Sequence, residues 1–137
     1  MQAILSPFTI IKSVSNEWAT IHLCSDGVME IHFGDLQYNV EMAKKITNLC
    51  GEVCGGQKVL VLGVASEYSD VDTDARNFMS TPEALRYSLA EAFVLKSLSQ
   101  RILGNFYLKF QRPSVPTRLF SSAVEARVWL LEAIEKK

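Results

Sequence analysis

The run Val59-Leu60-Val61-Leu62-Gly63-Val64-Ala65 constrains the fold more than any other stretch of the chain. It is apolar at nearly every position and rich in β-branched residues. A strand with one wet face alternates apolar and polar residues, whereas a strand covered on both faces reads as a continuous apolar run. Strands covered on both faces are characteristic of α/β sheets. The preceding segment agrees with this. Asn39 is placed to cap a helix running to about Cys54, with Val40, Ala43, Ile46, Cys50 and Val53 on one face. Gly55-Gly56 then stops the helix and leads into the apolar strand.

The first 34 residues read as an antiparallel meander of strands over 7–14, 17–24 and 28–33. The register of its second hairpin follows from the apolar pattern. A two-residue Asp26-Gly27 turn would oppose Leu23 to Glu30 and Ile21 to His32, mixing apolar with polar. A three-residue loop, Ser25-Asp26-Gly27, opposes Leu23 to Met29, Ile21 to Ile31 and Ala19 to Phe33, which gives one wholly apolar face. Gly27 then takes the left-handed position of the loop. A two-residue turn at Ser15-Asn16 extends that face by setting Phe8 against Leu23 and Ile10 against Ile21.

Beyond the apolar strand, residues 66–72 form a polar loop and residues 74–79 a short helix. Thr81-Pro82-Glu83 carries the signature of a second helix start. Residues 90–96 read as a strand, with helix as the alternative. Ser97 or Ser99 caps a helix to about Gln111, on which Leu98, Ile102, Phe106 and Phe110 recur every four residues. Pro113 and Pro116 bound an extended link before a strand at 117–120. Ser122-x-x-Glu125 is a capping box opening a last helix that carries Val128, Leu131 and Ile134 as its apolar positions, with Lys136 and Lys137 at the end favoured by the helix dipole. The economical arrangement is an α/β fold in which a mixed β-sheet joins an N-terminal antiparallel meander to β-α crossovers. No linker divides it, so residues 1–137 read as a single domain.

At 137 residues with 48% hydrophobic and 21% charged side chains, the chain can build its own core. A net charge of -1 argues against a dedicated nucleic-acid binder. The start of the chain lacks a signal-peptide pattern and no stretch is long and apolar enough for a membrane span, so the expected location is cytoplasmic. Cys24, Cys50 and Cys54 read as free thiols, the latter two as small apolar residues on one helix face.

Several segments together resemble a family. They are the helix ending in Gly55-Gly56, the apolar strand, Asp74-Ala75-Arg76 after the polar loop, and Ala92-Phe93-Val94 followed by a helix. Pro116-Thr117-Arg118-Leu119-Phe120 and Glu125-Ala126-Arg127-Val128-Trp129-Leu130 complete the set. Over residues 39–131 the chain resembles the bacterial SpoIIAA-like domains, relatives in shape of STAS and SEC14-like domains. The resemblance implies a small regulatory or binding module: STAS domains act on anti-sigma factors, and SEC14-like and some SpoIIAA-like domains hold an apolar ligand between helices and sheet. The phosphorylatable serine of the STAS switch does not carry over. The comparable loop reads Ser69-Asp70-Val71-Asp72-Thr73-Asp74-Ala75-Arg76, where Thr73 is a helix cap and Asp72 and Asp74 would repel a phosphate.

No motif for nucleophilic catalysis, phosphate binding or dinucleotide binding is present, and no cofactor is expected. The alternating Asp70, Asp72 and Asp74 lack the glycine and glutamate of a calcium loop. On the outward face of the second hairpin His22 lies opposite Glu30, with His32 diagonal to it. These groups could hold zinc weakly, but a solvated His–Glu pair is the ordinary reading, and no metal is expected. The expected function is therefore a non-enzymatic binding or regulatory module for a protein partner or an apolar small ligand. Its candidate contact residues are Asp72, Thr73, Arg76, Ile102, Asn105, Phe106 and Lys109. The apolar stripe reads as ordinary core or as the wall of an apolar pocket, with Asn105 and Lys109 either solvated or meeting an anionic head group. Gly104 within that helix either permits close approach of another backbone or a ligand or marks an interruption of the helix. A cavity beside Phe106 would favour the small ligand, and an exposed apolar patch the protein. The alternatives are an enzyme with an unrecognised site near Asp72, Asp74 and Arg76, and a homo-oligomeric structural protein pairing as a homodimer.

Overall fold

The computed structural model describes residues 7–135. The chain runs β1 (Ile10–Ser15), β2 (Ala19–Cys24), β3 (Val28–Phe33), β4 (Gln37–Tyr38), α1 (Val40–Val53), β5 (Val59–Val64), β6 (Asp70–Val71), α2 (Thr73–Met79), β7 (Ser88–Val94), α3 (Leu98–Phe106), a π-helical turn (Tyr107–Gln111), β8 (Thr117–Phe120) and α4 (Ala123–Glu135). Six strands form one sheet in the order β1-β2-β3-β5-β7-β8, and β4 and β6 make a short parallel ribbon beside it. The β1-β2-β3 meander is antiparallel and the remaining pairs are parallel. This is the mixed α/β sheet the sequence pattern requires.

The β2–β3 register is the one the apolar pattern selects, with Leu23 opposite Met29, Ile21 opposite Ile31 and Ala19 opposite Phe33. Gly27 has φ +89°, a conformation that side-chain-bearing residues rarely adopt. Strand β5 has an apolar cluster on each face. Val61 packs with Ile21, Met29, Ile31, Ile46 and Cys50 under α1, while Leu60 and Leu62 pack with Ala90, Ala92, Ala126 and Leu130 under α4. The caps fall where the sequence places them: Asn39 Oδ1 accepts from Met42 N at 2.9 Å, and Ser97, rather than Ser99, forms a complete capping box with Gln100.

Four expectations are corrected. The first turn is wider than two residues. Asn16 Oδ1 accepts from both Trp18 N and Ala19 N, so Ser15 pairs with Thr20, Val14 with Ile21 and Lys12 with Leu23. A register shift between Ile10 and Lys12 follows, Ile10 pairs with Cys24, and Ile10 and Ile11 are exposed. Second, Thr81-Pro82-Glu83 opens one turn and no helix. Thr81 Oγ1 accepts from Ala84 N at 3.2 Å, but β7 already begins at Ser88 and takes the residues a helix would need. Third, α4 turns Ala126 and Leu130 fully inward, with Val128 and Leu131 only partly buried. Small side chains on both sides, Ala126 against Ala90 and Ala92, set that face. The expectations for the Ile134 side chain and for Lys136 and Lys137 lie outside the described residues. Fourth, the α3 stripe of Leu98, Ile102, Phe106 and Phe110 is exposed and does not join the core.

Candidate functional site

The meander and β5 present one face of the sheet to α1, while α2, α3 and the π-helical turn lie over the continuation of that face. The elements do not close on each other. Between them lies a cavity of about 200 Å³. The sheet contributes Met29, Ile31, Val61 and Phe93, α1 contributes Ile46 and Cys50, and the α3 side contributes Leu103, Gly104 and Tyr107. Gly104 is there because a Cβ at that position would stand 2.8 Å from Leu119 Cδ1 and 3.1 Å from Leu95 Cδ1. What approaches this glycine is therefore the side chains of two leucines, not the backbone or ligand expected. Cys50 faces the cavity as an inert thiol, its pKa pushed up to about 12, chiefly by burial.

One end of this apolar space is polar. Glu91 sits mid-strand in β7, between β5 and β8, with 9% of its surface exposed. Burial pushes its carboxyl up to about 7, against the lowering effect of a hydrogen bond from Ser88. Ser88 Oγ donates to Glu91 Oε2 at 2.8 Å. Side chains three apart in a regular strand point to opposite faces. Here Val59 opposes Ser88 while Leu60 opposes Ala90, so Leu89 is an extra residue, and this bulge brings Ser88 round to the side of Glu91. Tyr107, the first residue of the π-helical turn, is 4% exposed, and its hydroxyl has no hydrogen-bond partner. Its ring meets Phe93 edge-on at 6.4 Å. Burial and then the charge of Glu91 push its phenol pKa upward.

Residues 22–134 match the model of a family described as a domain of unknown function, DUF7793. The chain belongs to the DUF7793 family. No curated protein matches it. Among solved structures it is similar to an uncharacterised DUF3478-family protein with a SpoIIAA-like fold from Shewanella loihica PV-4. That similarity has 12% identity and a TM-score of 0.49, and it covers 95% of this chain and 98% of the other.

In this DUF7793 domain the residues singled out from sequence do not form one site. Asp72, and not Thr73 as expected, caps α2, accepting from Ala75 N at 2.8 Å; Thr73 is the first residue of the helix, and both Thr73 and Asp74 are exposed. Arg76 does line the cavity, but its guanidinium donates to Val71 O and to Thr73 Oγ1. Asn105 and Lys109 are exposed. Ile102 and Phe106 neither join the core nor wall the cavity. Leu98, Ile102, Phe106 and Phe110 are 66%, 52%, 56% and 59% exposed. The adjacent side of the helix, carrying Leu103 and Tyr107, is the one that turns inward. A four-residue repeat marks an apolar face without saying which way it points, and the intervening positions here are apolar as well.

A second titratable cluster lies on the other side of the sheet. His22 lies opposite Glu30, as the register requires, but the face is not simply solvated. Glu30 Oε1 is 2.8 Å from His32 Nε2, and Glu30 Oε2 accepts from Arg127 of α4. Arg127 also bonds Asp26 through Nε at 2.7 Å and Nη2 at 3.0 Å, and its Cζ lies 3.4 Å from the centre of the Phe8 ring. The hydrogen bond from His32 comes first, and with Arg127 it outweighs burial and holds Glu30 down to about 2. Arg127 stays charged, since burial alone would lower its pKa but the bonds with Asp26, Cys24 and Glu30 outweigh it. Among the described residues no group of three or more His, Cys, Asp or Glu side chains is arranged to hold a metal ion. No helix among them is long and apolar enough to cross a membrane.

Sequence reasoning missed Glu91, Ser88, Tyr107 and Arg127. The signal for Glu91 was a single carboxylate inside the otherwise apolar Ala90-Glu91-Ala92-Phe93-Val94. Ser88 needed the bulge and Tyr107 the direction of α3, and neither is written in a short pattern.

Proposed function

We propose that this domain is a non-enzymatic binding module for a small apolar molecule held between the sheet and α1, α2 and α3. The observation that carries this reading is the cavity of about 200 Å³ with its apolar lining. Close-packed interiors contain few voids larger than a water, and an engineered apolar cavity of about 150 Å³ stays dry and takes up benzene. The volume suits a ring compound and is small for a whole lipid, which narrows the apolar ligand expected from sequence. Native mass spectrometry of the protein as purified, followed by toluene titration of the denatured-and-refolded chain, tests the reading. A retained small molecule, or saturable uptake of toluene by the emptied protein, supports it. A clean apo mass with no toluene uptake overturns it.

A second reading rests on a separate observation. Besides its exposed apolar stripe, the segment 92–124 contains Lys96, Arg101, Lys109, Arg112 and Arg118, all exposed, and no acidic residue. An apolar helix face among bases suits an anionic lipid surface. Co-flotation with phosphatidylserine vesicles, lost with neutral phosphatidylcholine vesicles or in Phe106→Ser, supports this. No flotation with either vesicle overturns it.

A further inference from the structure

We infer that Ser88, Glu91 and Tyr107 form a selective polar end of the cavity, which takes an apolar ring bearing one neutral hydroxyl group. This deepens the small-ligand reading above and rests on it.

Among the described residues two buried side-chain polar atoms bond nothing, Tyr107 Oη and Gln111 Oε1, and of these two residues only Tyr107 lines the cavity. Almost every buried polar group in a folded protein has a partner. Five other polar side chains around the cavity obey that rule within the protein. Gln100 Nε2 donates to Ser66 O at 2.8 Å and Ser69 O at 2.9 Å, Thr47 Oγ1 to Ala43 O at 2.9 Å, and Ser69 Oγ to Gly34 O at 2.8 Å. Tyr38 O–H donates to Trp18 O at 2.6 Å and its oxygen accepts from Gly34 N at 2.8 Å. Arg76 is spent on Val71 O and Thr73 Oγ1. Tyr107 breaks the rule: its hydroxyl is buried on the cavity side of α3 and bonds nothing. Glu91 is engaged through Oε2 by Ser88, and among the described residues no side chain bonds Oε1.

A buried polar group left unpaired is destabilising, and phenylalanine in place of Tyr107 would remove that cost. A ligand hydroxyl seated between them would complete both groups by donating to Glu91 Oε1 and accepting from Tyr107 O–H. A second anion in this dry end would face the Glu91 carboxylate. A cation would have to shed its water into an apolar space, which costs more than desolvating an alcohol. The ring and the hydroxyl are therefore the two features the site reads.

The test compares toluene, para-cresol, para-methylanisole and para-methylbenzylamine, titrated into the ligand-free full chain by calorimetry. These probes share a framework and differ in the head group. Wild type is expected to bind para-cresol at least tenfold more tightly than toluene or para-methylanisole, which lacks the donor. Tyr107→Phe and Glu91→Gln are expected to bring the cresol-to-toluene ratio below threefold while still binding toluene. Toluene uptake also reports that these near-isosteric variants remain folded. Equal binding of para-cresol and toluene by wild type, or an unchanged ratio in both variants, overturns this inference and leaves the cavity reading standing. Tighter binding of para-methylbenzylamine than para-cresol overturns the neutral head group. No binding of any probe overturns both.

Discussion

Glu91→Gln should stabilise the ligand-free protein at alkaline pH, and the size of the gain follows from the structure. The native carboxyl titrates at about 7 against 4.5 for the free group. A raised native pKa means that the folded state holds its proton more tightly than the unfolded chain. The stability from this group is fully present below pH 4.5 and is lost progressively as the pH rises to about 7. Above pH 7 the loss is complete. A difference of this size corresponds to roughly 3 kcal/mol, and the group is buried enough that solvent screening takes little from it. Glutamine keeps the shape and the Ser88 contact without titrating. Urea unfolding of both proteins at pH 4, 6 and 8.5 measures this, the values chosen to bracket the titration. The variant's advantage over wild type should grow by about 3 kcal/mol between the acid and alkaline ends, roughly 10 °C in Tm for a domain of this size. Parallel stability–pH curves for the two proteins would refute the argument, since they would mean that Glu91 titrates alike in the folded and unfolded states.

Tyr107→Phe removes an unsatisfied hydroxyl and should leave the ligand-free protein as stable as wild type or about 1 kcal/mol more stable by urea unfolding. Arg127→Ala leaves Asp26 and Glu30 facing each other without their cation and should cost about 3–5 kcal/mol, whereas Arg127→Met together with Asp26→Asn and Glu30→Gln should cost less than the single change. Because Glu30 is held down to about 2, its contribution is present above pH 4.5 and lost as the pH falls through 2, so Glu30→Gln should flatten the acid limb of a thermal-melt series. Ile102→Ser and Phe106→Ser remove exposed side chains and should shift stability by no more than about 0.5 kcal/mol, a contrast with the loss expected if the stripe were core.

The parts of the fold legible in the sequence were those set by a period and a cap. The two-sided strand β5, the β2–β3 register and the Asn39 cap each follow from a few adjacent residues with one physical solution, whereas the sequence offers both Ser97 and Ser99 as the α3 cap. The parts that were not legible depend on contacts distant in sequence. The Asn16 side chain replaced a tight turn by a wider one and moved the β1 register. Alanines facing each other across 36 residues, Ala90 and Ala126, chose the inward face of α4. The site was harder still to read. The α3 stripe is apolar by pattern, yet it is the Leu103–Tyr107 side that the sheet accommodates, through Gly104 beside Leu119. Glu91 and Ser88 meet only because β7 carries a bulge opposite Val59 and Leu60.

The cavity itself is tested most directly by a heteronuclear NMR titration of the ligand-free full chain with toluene. Saturable shifts confined to resonances of Val61, Glu91, Phe93, Leu103 and Tyr107, with the exposed Phe110 unmoved, are the predicted result. The absence of saturable shifts at these residues up to the solubility limit of toluene, or shifts confined to the outer face of α3, would contradict it.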